Sequence, residues 1–376
     1  MAEKVTPPWE EYDKEYLAFQ DREGLPVHEG LYVEDVRELE LAEWERYGGR
    51  GAFVNLMGME GVCDVQLLEI PPGETLTPQR HLHESITYVA EGSGVTAIGD
   101  GEDQVTFEWG QGALFQVPRN TRYVHANASD EPVLLVNQTS LPVLYSLLQD
   151  DEAIWGVEGY QQWTTDHDED FFSSVTELKD GTDVQGRTYW DSNFVPDASN
   201  FDKLVDWDGR GVGNSTIYFP FGESSMHAHI SEFDPGQYKK AHRHICGANV
   251  MLLAGEGYSL MWQEGKEDEK VHIPWGPYSL FTPPTMWFHQ HFNTSANGER
   301  ARYLVFHAPT YRMGIRGTED GNDAIAPWNP ENQLEYYEED PEVREIFQRE
   351  LDAKGIENRM DPDLYEPPEG EQDVWE

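Results

Sequence analysis

The sequence predicts an all-β protein, built as two barrel-like domains in tandem with short helical or irregular arms at either end. Three observations carry this prediction. From Gly51 onward, short β-type runs such as AFVNLMG, CDVQLLEI, SITYVAEG and ALFQVP are punctuated by Gly and Pro, the pattern of a sandwich or barrel. The same landmarks then recur in register. Pro72, Gly73, Gly92 and Gly94 precede Pro235, Gly236, Gly255 and Gly257 by 163 residues, and Trp109, Phe115, Pro118 and Asn127 precede Trp275, Phe281, Pro284 and Asn293 by 166. Separate landmarks sharing two offsets mark an internal duplication. Finally, 376 residues with 12 Trp, 18 Tyr and 16 Phe supply core material for two domains, which argues against global disorder.

In chain order, residues 1–46 are a polar arm. WEEYDKEYLAFQDREG is expected as a short helix and LYVEDVREL as an edge strand, packing on a neighbouring domain or subunit. Residues 47–146 are the first β-domain, and residues 147–206 the linker. Gly209-Arg210-Gly211 echoes Gly49-Arg50-Gly51, so the second β-domain is placed at 207–308. Residues 309–376 form an acidic extension, with PEVREIFQRELDAKG as a helix and DPDLYEPPEGEQDVWE as a solvated tail.

The 71 acidic residues outnumber the 26 basic ones, for a formal net charge of -45. That balance argues against nucleic-acid and anionic-membrane partners, which need clustered Lys and Arg. A lysine-poor acidic surface suits a salt-rich cytoplasm, and ordinary solubility with an acidic tail explains it equally well. Cys63 and Cys246 make no disulfide framework, and a reducing compartment is the default. No apolar run approaches the ~20 residues of a membrane span, and the start lacks a signal-peptide pattern. A soluble cytoplasmic protein is expected.

The chemistry concentrates in EFDPGQYKKAHRHICGANVMLLAGEG, residues 232–257. Here Gly236 is followed after five residues by His242-Arg243-His244, then by Ala248 and Gly255. Two histidines at i and i+2 share one side of an extended strand, as two ligands of one metal must. A third, His289, lies in PPTMWFHQHFN, five residues after Pro284 and four before Asn293. Three imidazoles suit Fe, Mn, Ni, Cu or Zn, and the lack of a fourth ligand marks an open, catalytic type of site.

Both stretches resemble the two signature motifs of the cupin superfamily, with His242, His244 and His289 on the three ligand-histidine positions. Ala248 stands where the first motif carries glutamate, and Tyr278 and Met286 replace two motif glycines. The HRH triplet without its glutamate resembles the two-domain group around gentisate dioxygenase, and the YKKAHRH and WFHQHFN strings resemble uncharacterised bicupins. The resemblance implies two double-stranded β-helix (jelly-roll) barrels and an Fe(II) centre, with Mn, Zn or Ni as substitutes. It further implies dioxygenase chemistry on a small aromatic or oxygen-chelating substrate with O2, in a homo-oligomer.

Carried onto the first copy, the register sets Gln79 against His242, His81 against His244, Ser85 against Ala248 and Tyr123 against His289. The first copy keeps one expected ligand, and a displaced site of His81, His83 and His125 is the alternative. Around the second-copy cluster, His291 shares the inward face with His289 and is a candidate acid/base, second-sphere partner or structural hydrogen-bond residue. Arg302 is a candidate for gripping a substrate carboxylate, as is Arg243, whose alternation favours a surface salt bridge. His227 and His229 are expected to be packing residues, and Cys246 a buried inert thiol. Tyr258, Trp262, Trp275 and Trp287 either wall a pocket or fill the core. Two other functions compete with the dioxygenase. One is redox-neutral isomerase, decarboxylase or lyase chemistry on the same metal, and the other is non-enzymatic ligand binding or storage.

Overall fold

The computed structural model describes residues 13–101, 104–157, 171–180, 187–222, 224–245, 248–309 and 330–368. Cys246 and the end of the acidic tail lie outside them. Within them, an eight-stranded and a nine-stranded sheet each face a three-stranded sheet of their own copy. The architecture is two tandem jelly-roll barrels.

Pairing repeats along with sequence. Val133–Thr139 lies antiparallel between Asp64–Ile70 and Ser85–Glu91, and Ala301–His307 lies between His227–Phe233 and Ala248–Ala254. Val133 opposes Ile70 as Ala301 opposes Phe233, so the offset between copies grows to 168 in this last strand. The glycine match has a steric cause. A Cβ on Gly94 would lie 2.3 Å from the Ala126 carbonyl oxygen, and one on Gly257 would lie 2.0 Å from that of Phe292. Only glycine lets these strands approach.

The N-terminal arm and the linker do the same job for opposite barrels. Val27–Gly30 pairs parallel with Gly49–Leu56, after which Tyr32–Val33 crosses to pair with Leu280–Phe281 of the second copy. Thr188–Trp190 pairs parallel with Ser215–Phe219, after which Phe194–Val195 crosses to Leu114–Val117 of the first. Each copy thus closes an edge that the other would leave open. The edge strand expected over LYVEDVREL is only two residues long, and Val36–Glu38 turns as a 3-10 helix.

One core joins the two large sheets face to face, with Val54, Leu67 and Val136 meeting Ile217, Ile230 and Leu304. Cys63 is buried there. The opposite faces of these sheets look into the barrels. The first barrel is filled by the arm helix Lys14–Glu23 and by two short helices, Leu141–Leu148 and Asp151–Ile154, that follow its last strand. Phe19 stacks on Tyr145 at 5.0 Å and on Trp155 at 5.9 Å. Beneath them Asp64 accepts hydrogen bonds from Tyr16 Oη at 2.6 Å and Gln66 Nε2 at 2.9 Å, and burial pushes its carboxyl up to about 6. The helix Pro341–Lys354, capped by Asp340 and ended by left-handed Gly355, covers the outer face of the second copy's small sheet. Its Phe347 lies 4.9 Å from Tyr238. No helix among the described residues is long and apolar enough to cross a membrane.

Candidate metal centre

His242 and His289 meet as an antiparallel bridge, with His289 N donating to His242 O at 2.9 Å and His242 N donating to His289 O at 3.1 Å. The next bridge joins Tyr238 to Phe292, so one strand spends four residues where its partner spends three. This is a bulge, and a bulge re-aims the side chains beyond it. The first copy has the same bulge between Thr75–Ala126 and Gln79–Tyr123. Strand alternation on Phe288–Asn293 sends Phe288 and Phe292 outward into the layer beneath the C-terminal helix, leaving His289 and His291 inward.

The three candidate ligands converge. Ring centroids are 4.2 Å apart for His242 and His289, 5.0 Å for His244 and His289, and 5.9 Å for His242 and His244. One nitrogen from each lies within 4.8 Å of the other two, and this is the one such group of three or more ligands among the described residues. His242 Nδ1 is 3.1 Å from the Lys240 carbonyl and His289 Nδ1 is 3.1 Å from that of Trp287. A carbonyl only accepts, so both Nδ1 atoms carry the proton and both Nε2 atoms present lone pairs. Burial, reinforced by neighbouring cationic groups, holds His242 and His289 well below the usual imidazole range. Neutral rings locked by carbonyls into the Nε2-acceptor tautomer fit a borderline divalent cation.

The first barrel uses the equivalent atoms otherwise. His81 Nδ1 is 2.9 Å from the His83 carbonyl and its Nε2 is 2.9 Å from Tyr123 Oη. Gln79 donates to the carbonyls of Arg46 and Thr77 at 2.9 and 3.0 Å. His83 stacks on His81 at 3.5 Å, and His125 is bound to Thr96 Oγ1 at 2.7 Å. The displaced His81, His83 and His125 arrangement does not form a ligand group.

His291 faces inward, 5.7 Å ring to ring from His289. Its Nδ1 is 2.8 Å from Ser259 Oγ, which accepts from Trp275 Nε1 at 3.0 Å. The first barrel repeats this network, with Trp109 Nε1 donating to Thr96 Oγ1 at 2.8 Å and His125 bound to the same oxygen. The bond therefore belongs to the barrel in both copies. Arg302 requires a correction. Its neighbour Tyr303 contacts His291 at 5.3 Å, so alternation turns Arg302 out of the barrel. There it pairs with Glu232 at 2.5 Å and donates to the Ser199 carbonyl at 2.8 Å, which ties the linker down and leaves it no grip on a ligand inside. Arg243 pairs with Glu264 at 2.7 Å and caps the Phe288 ring on the outside. Of the four aromatics, Trp275 is inward, Tyr258 and Trp262 belong to the outer layer under the C-terminal helix, and Trp287 packs at the barrel's margin.

The two residues at motif-glycine positions retain a glycine-like backbone. Tyr278 has φ 68° and Met286 φ 61°, matching Gly112 at 88° and Asn120 at 53° in the first copy. Met286 N donates to the His244 carbonyl at 2.9 Å, so this conformation helps hold a candidate ligand. Left-handed backbone costs a side-chain-bearing residue about 1–2 kcal/mol. Met286→Gly is accordingly expected to stabilise the fold by about 0.5–1 kcal/mol after glycine's entropy cost, measurable by urea unfolding.

Sequence reading missed two inward residues. Lys239 is 3% exposed, and its Nζ donates to Asn214 Oδ1 and Ser231 Oγ, under the Tyr303 ring at 4.8 Å. His307 Nε2 is 2.7 Å from His229 Nδ1, and its ring stacks on His227 at 4.1 Å. His227 and His229 pack against it as stacked rings, and His229 also bonds to it. The 163-residue offset, which sets Lys239 against Leu76, was the available signal for the first.

Residues 66–138 match the family described as the cupin domain, and no curated protein matches the chain. Among solved structures, the chain is similar to salicylate 1,2-dioxygenase from Pseudaminobacter salicylatoxidans, with 13% identity and TM-score 0.48 over 68% of this chain and 74% of that one. Vicilin from hazelnut, Corylus avellana, gives 12% and 0.47 over 75% and 87%. A deletion mutant of Bacillus subtilis oxalate decarboxylase gives 10% and 0.47 over 73% and 76%.

Proposed function

We propose that the chain is a two-domain cupin whose second barrel is the working one, a metal-dependent enzyme centred on His242, His244 and His289. In this reading residues 47–146 form the structural barrel and residues 207–308 the catalytic one. The observation that carries it is the contrast between equivalent atoms. His242 and His289 have Nδ1 held by a carbonyl and each bring a ring nitrogen within 4.8 Å of one from His244, whereas His81 spends both nitrogens on protein groups.

The specific activity proposed is that of an Fe(II) dioxygenase acting on a small aromatic or other oxygen-chelating substrate. Bound at these ligands, Fe(II) would supply Lewis acidity and a path for electrons from a chelating substrate to O2. The protein's own part is to hold three imidazoles neutral and oriented, and to limit water at the reacting centre. His291 is the inward imidazole placed to move a proton beside the ligands.

The test is anaerobic purification with metal analysis, followed by oxygen-uptake assays over hydroxybenzoates and diols. About one equivalent of iron per chain, with substrate-dependent O2 consumption, is the expected result. Turnover unchanged by removing O2 would replace this reading with redox-neutral chemistry, and no bound metal would remove the enzyme altogether.

A further inference from the structure

The two barrels differ at more than the metal ligands. Lys239 N donates to the His291 carbonyl at 3.0 Å, as Leu76 N donates to that of His125 at 3.0 Å, so Lys239 and Leu76 hold one place in the fold. Strand pairing sets Asn214, Ser231 and Tyr303 of the second barrel against Gly49, Leu68 and Leu135 of the first. In the first barrel this spot is apolar. Leu68, Leu76 and Leu135 belong to one core, and a Cβ on Gly49 would lie 2.9 Å from Leu76 Cδ2. The fold therefore requires no polar group here, yet the second barrel gathers an amine, an amide, a hydroxyl and a phenol.

The amine is held for one state. Asn214 Nδ2 donates to the Trp207 carbonyl at 2.9 Å, which turns Asn214 Oδ1 toward Lys239. Lys239 Nζ donates to that oxygen and to Ser231 Oγ, both of them neutral, and the Tyr303 and Phe233 rings flank it at 4.8 and 5.3 Å. Two N–H groups make both bonds, so an uncharged amine satisfies them and keeps its lone pair. Burial, then the Arg210 charge, hold Lys239 well below the usual lysine range. A desolvated, uncharged amine is the nucleophilic form of lysine. Solvent comes close to it. His229 shares the inward face with Ser231 two residues away, and His229 and His307 keep partial exposure where their counterparts Gln66 and Thr139 are 2% and 1% exposed.

We propose that Lys239 is a nucleophile that forms an imine with a small aldehyde or 2-oxo acid inside the second barrel. The Nζ lone pair attacks the carbonyl carbon, and the carbonyl oxygen leaves as water with the two amine protons. C=N thus replaces C=O with no oxidant or reductant consumed. The step needs no cation, so this site goes beyond the metal reading and stands apart from it.

The test incubates the full chain at pH 7 with glyoxylate, pyruvate or acetaldehyde in the presence of cyanoborohydride, which reduces an imine to a stable secondary amine. Intact mass counts the adducts, and peptide mapping places them among the nine lysines and the amino terminus. Ordinary lysines, titrating near 10.4, are uncharged in only about 1 part in 2,500 at pH 7, so with at least one probe Lys239 is expected to label about tenfold faster than any other lysine. Lys239→Leu, which installs the first barrel's residue, is expected to lose the fast adduct and keep the slow surface labelling, with a thermal melt certifying its fold. The proposal is overturned if no probe labels Lys239 faster than the exposed lysines, or if Lys239→Leu keeps the fast adduct. The two readings fail separately. A metal-free chain that labels Lys239 removes the metal centre and leaves this site standing, whereas a metal-loaded chain without the fast adduct sinks this proposal alone.

Discussion

Replacing His289 with tyrosine is expected to strip the metal from the protein while leaving the fold intact. The first barrel already contains the outcome, because Tyr123 occupies the equivalent place and its hydroxyl bonds His81 Nε2 at 2.9 Å. In the second barrel an introduced phenol at this position would meet His244, which lies 5.0 Å ring to ring from His289, and occupy a nitrogen needed for the cation. Two imidazoles would remain from three. Changing a group that merely orients a ligand typically costs 10–100-fold in affinity, so losing a ligand is expected to cost at least about 100-fold. Metal content after anaerobic dialysis is the measurement, with a thermal melt beside it. Since barrel one accommodates the same pair, the melting temperature is expected to fall by no more than about 4 °C, equivalent to roughly 1 kcal/mol. A variant that retains a full equivalent of metal would mean that the cation, if any, is held elsewhere.

What could be read in the sequence follows from which residues have no substitutes. Gly94 and Gly257 sit where a Cβ would strike the neighbouring strand. Asn127 and Asn293 each donate to a strand-end carbonyl at 3.0 Å, that of Ile70 or Phe233, while accepting from Ser129 or Ser295. Such constraints keep register visible after most side chains have diverged, and that register set the candidate ligands His242, His244 and His289 against Gln79, His81 and Tyr123. The exchanged strands Tyr32–Val33 and Phe194–Val195 were hidden because they are two residues long and their partners are distant in sequence. Arg302 misled because alternation within a strand says which residues share a face, not which face is inside. Only the contact between Tyr303 and His291 decides that. His307 escaped because the offset reaches 168 in the last strand, where an offset of 166 would set it against Leu141 instead of Thr139.

Replacing Lys239 with leucine, the first barrel's residue at position 76, is expected to stabilise the protein, and the gain should depend on pH. The ammonium is buried, and its hydrogen-bond acceptors are the neutral Asn214 and Ser231. Burial, and secondarily the Arg210 charge, push it well below the usual lysine range. Exchanging buried ion pairs for apolar groups of similar volume often gains about 1–4 kcal/mol, and a gain toward the low end is expected for a buried amine whose charged form is disfavoured. The acceptors left behind stay satisfied, because Ser231 Oγ already donates to Asn214 Oδ1 at 2.7 Å. The sign of the pH effect follows from the depressed pKa. Above the folded-state pKa the unfolded chain binds the extra proton, so wild-type stability climbs with pH until the unfolded lysine deprotonates near 10.4. The variant lacks this slope, and its advantage should shrink between pH 7 and pH 10 by up to about 1.4 kcal/mol per unit. Urea unfolding of both proteins at pH 7, 8.5 and 10 measures it. A constant difference, or a variant less stable than wild type at pH 7, would show that the lysine is well accommodated where it lies. The opposite result would identify it as a cost the fold bears in one barrel alone, and turnover is expected to fall as stability rises.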